Sequence, residues 1–422
     1  MSLPPPLPPP APPTDGIFSF DGSLGGIYSA IGLPDEIFTN SMSMGVNWYN
    51  HRIFGIAYDN DKDNPVFFFG SVNGSTVSDL TIFGIDDGYA NNVLGSINGT
   101  GIGVFAGSAY DFFAFAAQGN TTRVQDSALL GSFIVAGGGY QTPGAMTSVA
   151  PKGIETWKGY STGLSVDLVT RDFLDVFKSD HDDFTLTLNK DAGTISGSMD
   201  LQWVYNDSYA DIWDLVVGGD VTKSVYLQDD LMAALITGGG GDGSTVLKPY
   251  GNFLVVADPK EKISDYVTWG YWQIVYNESS AASGQALMAG SHSFWIAGLP
   301  TPAGVITNYQ NNYFTGVYSG KAIGTELGTI GQLNGTCALT ANFSPGGGTI
   351  TGNIDLGVIN LPLFDGTIDS NQFSASLDNG SNISGAVKGG FFGPAANAVG
   401  GNFSAANSTT SKQYIGIFGG NR

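Results

Sequence analysis

One cysteine, Cys337, stands among 422 residues, so the chain can form no internal disulfide and no multi-cysteine metal or iron–sulfur centre. Its three histidines, His51, His181 and His292, lie in unrelated contexts, without the spacing that sets two imidazoles on one metal. His181, between Asp180, Asp182 and Asp183, reads as part of a solvated loop. Basic residues are scarce: 16 Lys and Arg against 37 Asp and Glu leave a net charge of −21. Neutralising phosphates or anionic lipid needs the opposite sign, so nucleic acid and polybasic membrane binding are excluded. No apolar run approaches the about 18 residues of a transmembrane helix, and the opening residues do not read as a signal peptide.

Charged residues make up only 13%, about half the usual share. The hydrophobic fraction of 42% excludes general disorder, and 62 glycines with many Asn, Ser and Thr suit a protein of short strands and tight turns. The chain opens MSLPPPLPPPAPPT, a stiff polyproline-II spacer that is either the native N-terminus or, as expected here, a linker from an anchor or upstream domain. Beyond it, Arg52–Tyr58, Val66–Gly70, Leu94–Asn98, Gly101–Ala106 and Phe112–Ala117 read as strands separated by Asn-Gly, Asp-Gly and Asp-Asn turns.

An internal repeat follows. GTISGSMDL (193–201) matches GTITGNIDL (348–356), and FTLTLN (184–189) matches CALTAN (337–342). Gly159–Gly163 matches Gly316–Gly320, and SFIVA (132–136) matches SFWIA (293–297), each of the latter pair followed by Thr-Pro. Two copies of one strand-rich unit are implied, at about 130–205 and 292–420. The first leads into Leu227–Ile236, whose apolar spacing predicts a helix ended by Gly238–Gly241. That Gly run and Asp258–Ser264 are candidate boundaries. The expected division is a Pro-rich linker 1–14, an N-terminal β-rich region 15–130, a first repeat unit 131–257 with its helix at 227–236, and 258–422 for an aromatic strand region and a C-terminal barrel.

Tyr266–Trp272 is dense in aromatics. Trp269, Tyr271, Trp272 and Trp295 are candidates for an exposed ligand-binding patch, against the alternative that they pack a core. Asp59, Asp61 and Asp63 alternate like the opening of a Ca2+ loop, but Asn64 and Gly70 occupy the places where an EF-hand needs Gly and Glu. An irregular Ca2+ site or a polar hairpin turn fits the same residues. Gly159-Tyr-Ser-Thr-Gly163 has the letters of a nucleophile elbow, yet Ser161 sits in a strand-type repeat where the other copy has Tyr318. Gly101–Gly107 has one residue too many for a dinucleotide loop and no βαβ context. Cys337 aligns with Phe184 at an inward strand position, which makes it a buried thiol. No pair of carboxylates stands out for glycoside hydrolysis, and no cofactor other than Ca2+ is indicated.

The last residues, from Gly389 to Arg422, place single bulky apolar residues at alternate positions beside glycines, with a Gly-Pro break. This is the pattern of a closing hairpin in a small barrel. Gly390, Phe391, Phe392, Gly393, Pro394 and Ala395, then Gly400, Gly401 and Phe403, then Gly416, Phe418 and Gly419, resemble the barrel-closing signature of the transferrin-binding protein B-like superfamily of bacterial surface proteins. The region from Trp269 to Gly390 more loosely resembles the C-terminal part of surface proteins that carry a FecR-type domain. The first resemblance implies handle-and-barrel lobes on the outer surface of Gram-negative bacteria, often lipid-anchored, in a family whose members bind host iron- or haem-carrying proteins or complement regulators. The chain departs from the family in three ways: no lipid-acceptor cysteine at its start, no Phe-Phe-Gly-Pro closure in its first repeat, and no match to a known ligand-contact segment.

The expected fold is all-β and mainly antiparallel: a C-terminal eight-stranded barrel, further β-rich regions and one or two short helices. Leu339, Ile350, Ile354, Phe373, Ile383, Phe403 and Phe418 should line the last barrel. The expected function is non-enzymatic: a surface or secreted module of a Gram-negative bacterium for adhesion or for capturing a protein, haem or iron-related ligand. A structural or assembly role in a larger surface protein is the first rival. A carbohydrate-active protein or lectin using the Trp-rich region is the second.

Overall fold

A computed structural model describes residues 13–14, 16–58, 66–86, 95–107, 109–123, 128–142, 152–167, 173–203, 213–218, 224–228, 231–240, 253–256, 263–278, 286–329, 331–378 and 382–422. The N-terminal strands are β1 (Ile17–Ala30), β2 (Glu36–Asn47), β3 (Arg52–Tyr58), β4 (Val66–Asn73), β5 (Thr76–Asp86), β6 (Gly95–Ala106), β7 (Phe112–Arg123) and β8 (Leu129–Gln141). Each pairs antiparallel with the next, and β8 returns to β1 to close a barrel. Period-2 alternation drives the closure: along β8, Phe133 and Val135 face the interior while Ile134 and Ala136 face out. Phe20, Trp48, Phe105, Phe113 and Phe115 fill the middle as a contiguous ring cluster.

The central strands are β9 (Ile154–Asp167), β10 (Phe173–Ser179), β11 (Phe184–Asn189), β12 (Thr194–Trp203), β13 (Trp213–Val217), β14 (Ser224–Gln228), β15 (Leu231–Gly240), β16 (Phe253–Val256), β17 (Val267–Gln273), β18 (Val275–Glu278) and β19 (Ala286–Gly298). They form an 11-stranded sheet, and β19 pairs with β9, so its path returns to where it began. Next come α1 (Ala303–Asn311), β20 (Thr315–Glu326), β21 (Gln332–Ser344), β22 (Gly347–Asp355), β23 (Asn360–Asp369), β24 (Gln372–Ser376), β25 (Ile383–Phe392), β26 (Ala398–Asn407) and β27 (Lys412–Asn421). These eight strands close a second barrel through β20 and β27. The all-β, antiparallel architecture and the eight-stranded C-terminal barrel are thus as the sequence implied. By contacts the chain divides into two compact units. One holds Met1–Gly153 with Asn189–Thr194 and Val225–Met232; the other holds the rest, including the C-terminal barrel.

Both barrels close on a glycine pair. Gly22 opposes Gly139, and Gly320 opposes Gly420. A Cβ on Gly22 would sit 2.0 Å from the Gly138 carbonyl oxygen, and one on Gly320 2.1 Å from that of Gly419. The first and last strands therefore approach too closely for any side chain there.

The predicted interior of the C-terminal barrel is observed, with Leu339, Ile350, Ile354, Phe373, Phe403 and Phe418 fully buried and Ile383 partly buried against them. Cys337 joins them, and burial pushes its thiol up to about 12, so it is no nucleophile at neutral pH. One end of this barrel is stopped by α1. Ile306 enters the core, Tyr309 stacks on Phe314 at 4.3 Å, and the Arg422 guanidinium lies over both rings.

Several sequence expectations are corrected. The described residues of Leu227–Ile236 are not helical: Leu231–Gly240 is strand β15, with Met232, Ala233, Ala234 and Ile236 all buried. A short apolar run covered on both faces has the same letters as a buried helix turn. Gly238–Gly240 ends no helix; it pairs with Leu215, Asp214 and Trp213. The chain's described helix is α1, which has no side-chain cap and follows Pro302. Asn98-Gly99 is no turn either, for β6 runs through it against Asn120 and Gly119. The division at 130/131 cuts β8, and the aromatic strand placed with the C-terminal region belongs to the central sheet.

Candidate functional site

The aromatic strand β17 shows why the predicted patch does not form. Its burial is nearly continuous, not alternating. Trp269 is 3% exposed, Trp272 1% and Trp295 0%. On one face Trp272 meets Phe177 and Trp295 meets Phe184, while their indole N–H groups donate to the Phe294 and Tyr271 carbonyls. On the other face Trp269 joins Tyr160, Val267, Phe294 and Ile296 in one cluster with Ile323, Phe392, Ala398 and Ile417 of the C-terminal barrel. Tyr271 alone is half-buried, and its hydroxyl donates to Gln332 Oε1 at 2.8 Å. Trp269, Trp272 and Trp295 are core and Tyr271 packs partly buried against them, so these residues form no exposed stacking platform.

The matched blocks SFIVA and SFWIA also differ in facing. Phe133 points into the N-terminal barrel, whereas Phe294 lies on the outer face of the central sheet. The β9–β19 register shifts between Ser291 and Phe294, and a one-residue slip turns every side chain to the opposite face.

The sheet–barrel contact contains one amide that sequence reading missed. Asn402, the variable position of Gly400-Gly401-Asn402-Phe403, is 5% exposed. Its Nδ2 donates to the carbonyls of Ser161 at 2.9 Å and Ser179 at 3.0 Å. Beside it the Ser161 and Ser179 hydroxyls are 2.7 Å apart, so Ser161 is a buried strand residue hydrogen-bonded to another serine. Its signal in the sequence was a single polar letter inside a glycine- and phenylalanine-rich motif.

His181 corrects the solvated-loop expectation. The turn at 180–183 packs the imidazole inward, 7% exposed, with its ring centroid 6.1 Å from that of Tyr160, while the Asp182 side chain stays 79% exposed. Nδ1 lies 3.1 Å from Asp182 Oδ1. Burial pulls the imidazole below its ordinary value of 6.5, against the opposing pull of the Asp182 carboxylate that accepts its hydrogen bond. Burial raises the Tyr160 phenol well above 10.0, reinforced by Asp180 and Asp182. Lys388 pairs with Asp180 across the same margin. Asp180 Oδ1, His181 Nε2 and the Tyr160 hydroxyl are buried without a protein partner. No group of three metal-ligating side chains occurs among the described residues, and Asp59, Asp61 and Asp63 lie outside them.

Residues 299–422 match the family model described as C-lobe and N-lobe beta barrels of Tf-binding protein B. The C-terminal barrel is of the transferrin-binding protein B type. Its signature residues divide between the two sides of the wall: Phe391, Phe403 and Phe418 fill the interior, and Phe392 packs outward on the central sheet. Gly393 holds φ 81° in the break before Pro394, a conformation open to glycine.

Among solved structures, isotype 1 transferrin binding protein B from serogroup B Neisseria meningitidis is 13% identical with a TM-score of 0.30, covering 98% of this chain and 77% of that one. A double mutant of the vaccine antigen transferrin binding protein B from Haemophilus parasuis Hp5 is 13% identical with a TM-score of 0.27, covering 97% and 77%. No curated protein matches the chain. The FecR-type resemblance receives no support from these matches.

Proposed function

We propose that the chain is a non-enzymatic binding module of the Gram-negative cell surface, and that its ligand is a protein held on barrel exteriors and end loops. The observation that carries this reading is the transferrin-binding protein B-type barrel at 299–422, whose interior is filled by side chains. A packed eight-stranded barrel is a rigid frame, and recognition falls to its outside and its loops. Side chains occupy the interior where that barrel could hold haem, and Trp269, Trp272 and Trp295, the tryptophans singled out for glycan stacking, are buried. The family description makes an iron carrier of the transferrin kind the first ligand to test.

The test is biolayer interferometry of the immobilised full chain against transferrin, other host iron carriers, free haemin and a glycan array. Saturable binding to a protein, with none to haemin or glycans, is expected. Binding to haemin or glycans without any protein ligand would overturn the reading.

A further inference from the structure

The turn at 180–183, between β10 and β11, reaches the C-terminal barrel through the two carboxylates that flank His181. Asp180 pairs with Lys388 of β25, and Asp182 accepts a side-chain hydrogen bond from Gln372 of β24. These two barrel strands are neighbours, with Gln372 opposite Gly390, so the turn lies across both. Between the two contacts the imidazole is buried beside Tyr160 of β9. Tyr160 in turn abuts the barrel, for a Cβ on Gly390 would lie 3.1 Å from its hydroxyl oxygen. Deeper in the seam stand the Asn402 amide and the apolar cluster around Trp269, neither of which ionises in the acid range.

The proton inventory of the turn follows from its geometry. Asp182 is ionised at neutral pH, its carboxyl held below 3.8 by the His181 hydrogen bond, so Nδ1 carries the proton it donates at 3.1 Å. Nε2 then holds a lone pair, buried and without a donor. Acid adds a proton there and creates a charge inside the seam. A buried charge needs a partner. Asp180 Oδ1 is buried and unpartnered on the adjoining residue, but its carboxylate already holds Lys388 by the other oxygen. The charged groups around the ring are Asp180, Asp182 and Asp183 on the turn, Lys158 on β9 and Lys388 on β25. Asp182 favours an imidazolium and Lys158 opposes it, and burial outweighs the Asp182 pull.

We infer that the His181 turn is an acid-released latch between the central sheet and the C-terminal barrel. An imidazole in water takes up its proton more readily than one packed against Tyr160, so acid favours the states in which the turn has swung out. Swinging out draws Asp180 from Lys388 and Asp182 from Gln372, which frees the outer margin of the seam. Asn402 and the apolar cluster keep the barrel docked, so the opening stays local. The latch works whatever ligand the module binds.

Hydrogen exchange of the full chain at about pH 7.5 and about pH 5, corrected for intrinsic rates, tests this. The Asp183 and Phe184 amides, bonded to the Asp180 carbonyl, report the turn. Their protection should fall at least about threefold at the lower pH, while that of β26 holds. His181→Gln should abolish the step, and Asp183→Asn should keep it, although burial raises the Asp183 carboxyl toward the same range. Lys388→Met, which removes the barrel anchor, should loosen the turn already at about pH 7.5. With three histidines in the chain, NMR can follow each imidazole, and His181 should titrate where the turn loosens. Equal protection at both pH values, a step that survives His181→Gln or vanishes with Asp183→Asn, a turn indifferent to Lys388→Met, or a His181 titration apart from the step would overturn the inference.

Discussion

The two barrels share strand number, pairing order and a glycine pair at closure, yet differ in what covers the wall where they close. In the C-terminal barrel Ile323 and Ile417, paired across the closure, are buried to 2% and 0% exposure; Ile27 and Ile134, paired across the N-terminal closure, are 47% and 67% exposed. The interiors differ in the other direction. Rings crowd the N-terminal core around Phe105, while aliphatic Leu339, Ile350, Ile354 and Leu361 share the C-terminal core with Phe391 and its neighbours. Inward residues close the barrel, and outward residues on the same strands determine what it meets. Period-2 alternation lets the two be written independently.

The strongest test of that independence removes one central ring from each barrel. Phe391 lies 5.1 to 5.9 Å from Phe343, Phe373 and Tyr318 by ring centroids, and Phe105 lies 4.9 to 5.6 Å from Trp48, Phe113 and Phe20. Phe391→Ala and Phe105→Ala should each cost about 3–5 kcal/mol. Hydrogen exchange should show protection lost first in the barrel that carries the change; equal loss in both would mean that the barrels are not separate cores.

A smaller effect separates the walls. Asn402→Ala removes the Nδ2 donor to the buried Ser161 and Ser179 carbonyls and should cost about 1–3 kcal/mol in urea unfolding. Gln118→Ala, at an exposed amide on the outer wall of the N-terminal barrel, should change stability by less than about 0.5 kcal/mol. Equal costs would contradict the difference in coverage.

The smallest effect is on pH dependence. The folded state holds His181 below 6.5, so its neutral form is favoured there. This contribution is complete above pH 6.5 and is lost as pH falls from there through the lowered folded value. Thermal midpoints measured down from pH 7.5 should fall less steeply in His181→Phe than in the parent. Identical slopes would remove His181 as the cause.

How far the sequence could be read follows from the same division between inward and outward positions. Leu339, Phe373 and Phe418 were legible because one-sided alternation and a closing motif are local patterns. Trp269 and Trp295 were not, because a strand buried on both faces looks like an aromatic patch until its neighbours are known. Leu231–Gly240 failed for a related reason: continuous burial erases the period that separates strand from helix. Asn402 was invisible, since its two acceptors come from positions more than two hundred residues earlier.

The glycine pairs at closure also carry a kinetic meaning. Gly22 cannot meet Gly139, nor Gly320 meet Gly420, until every strand between them has been laid down. The contact that completes each barrel is therefore its least local, and loop-closure entropy is spent before it is gained. Each barrel should mature late and as a whole, with its first strand waiting for its last.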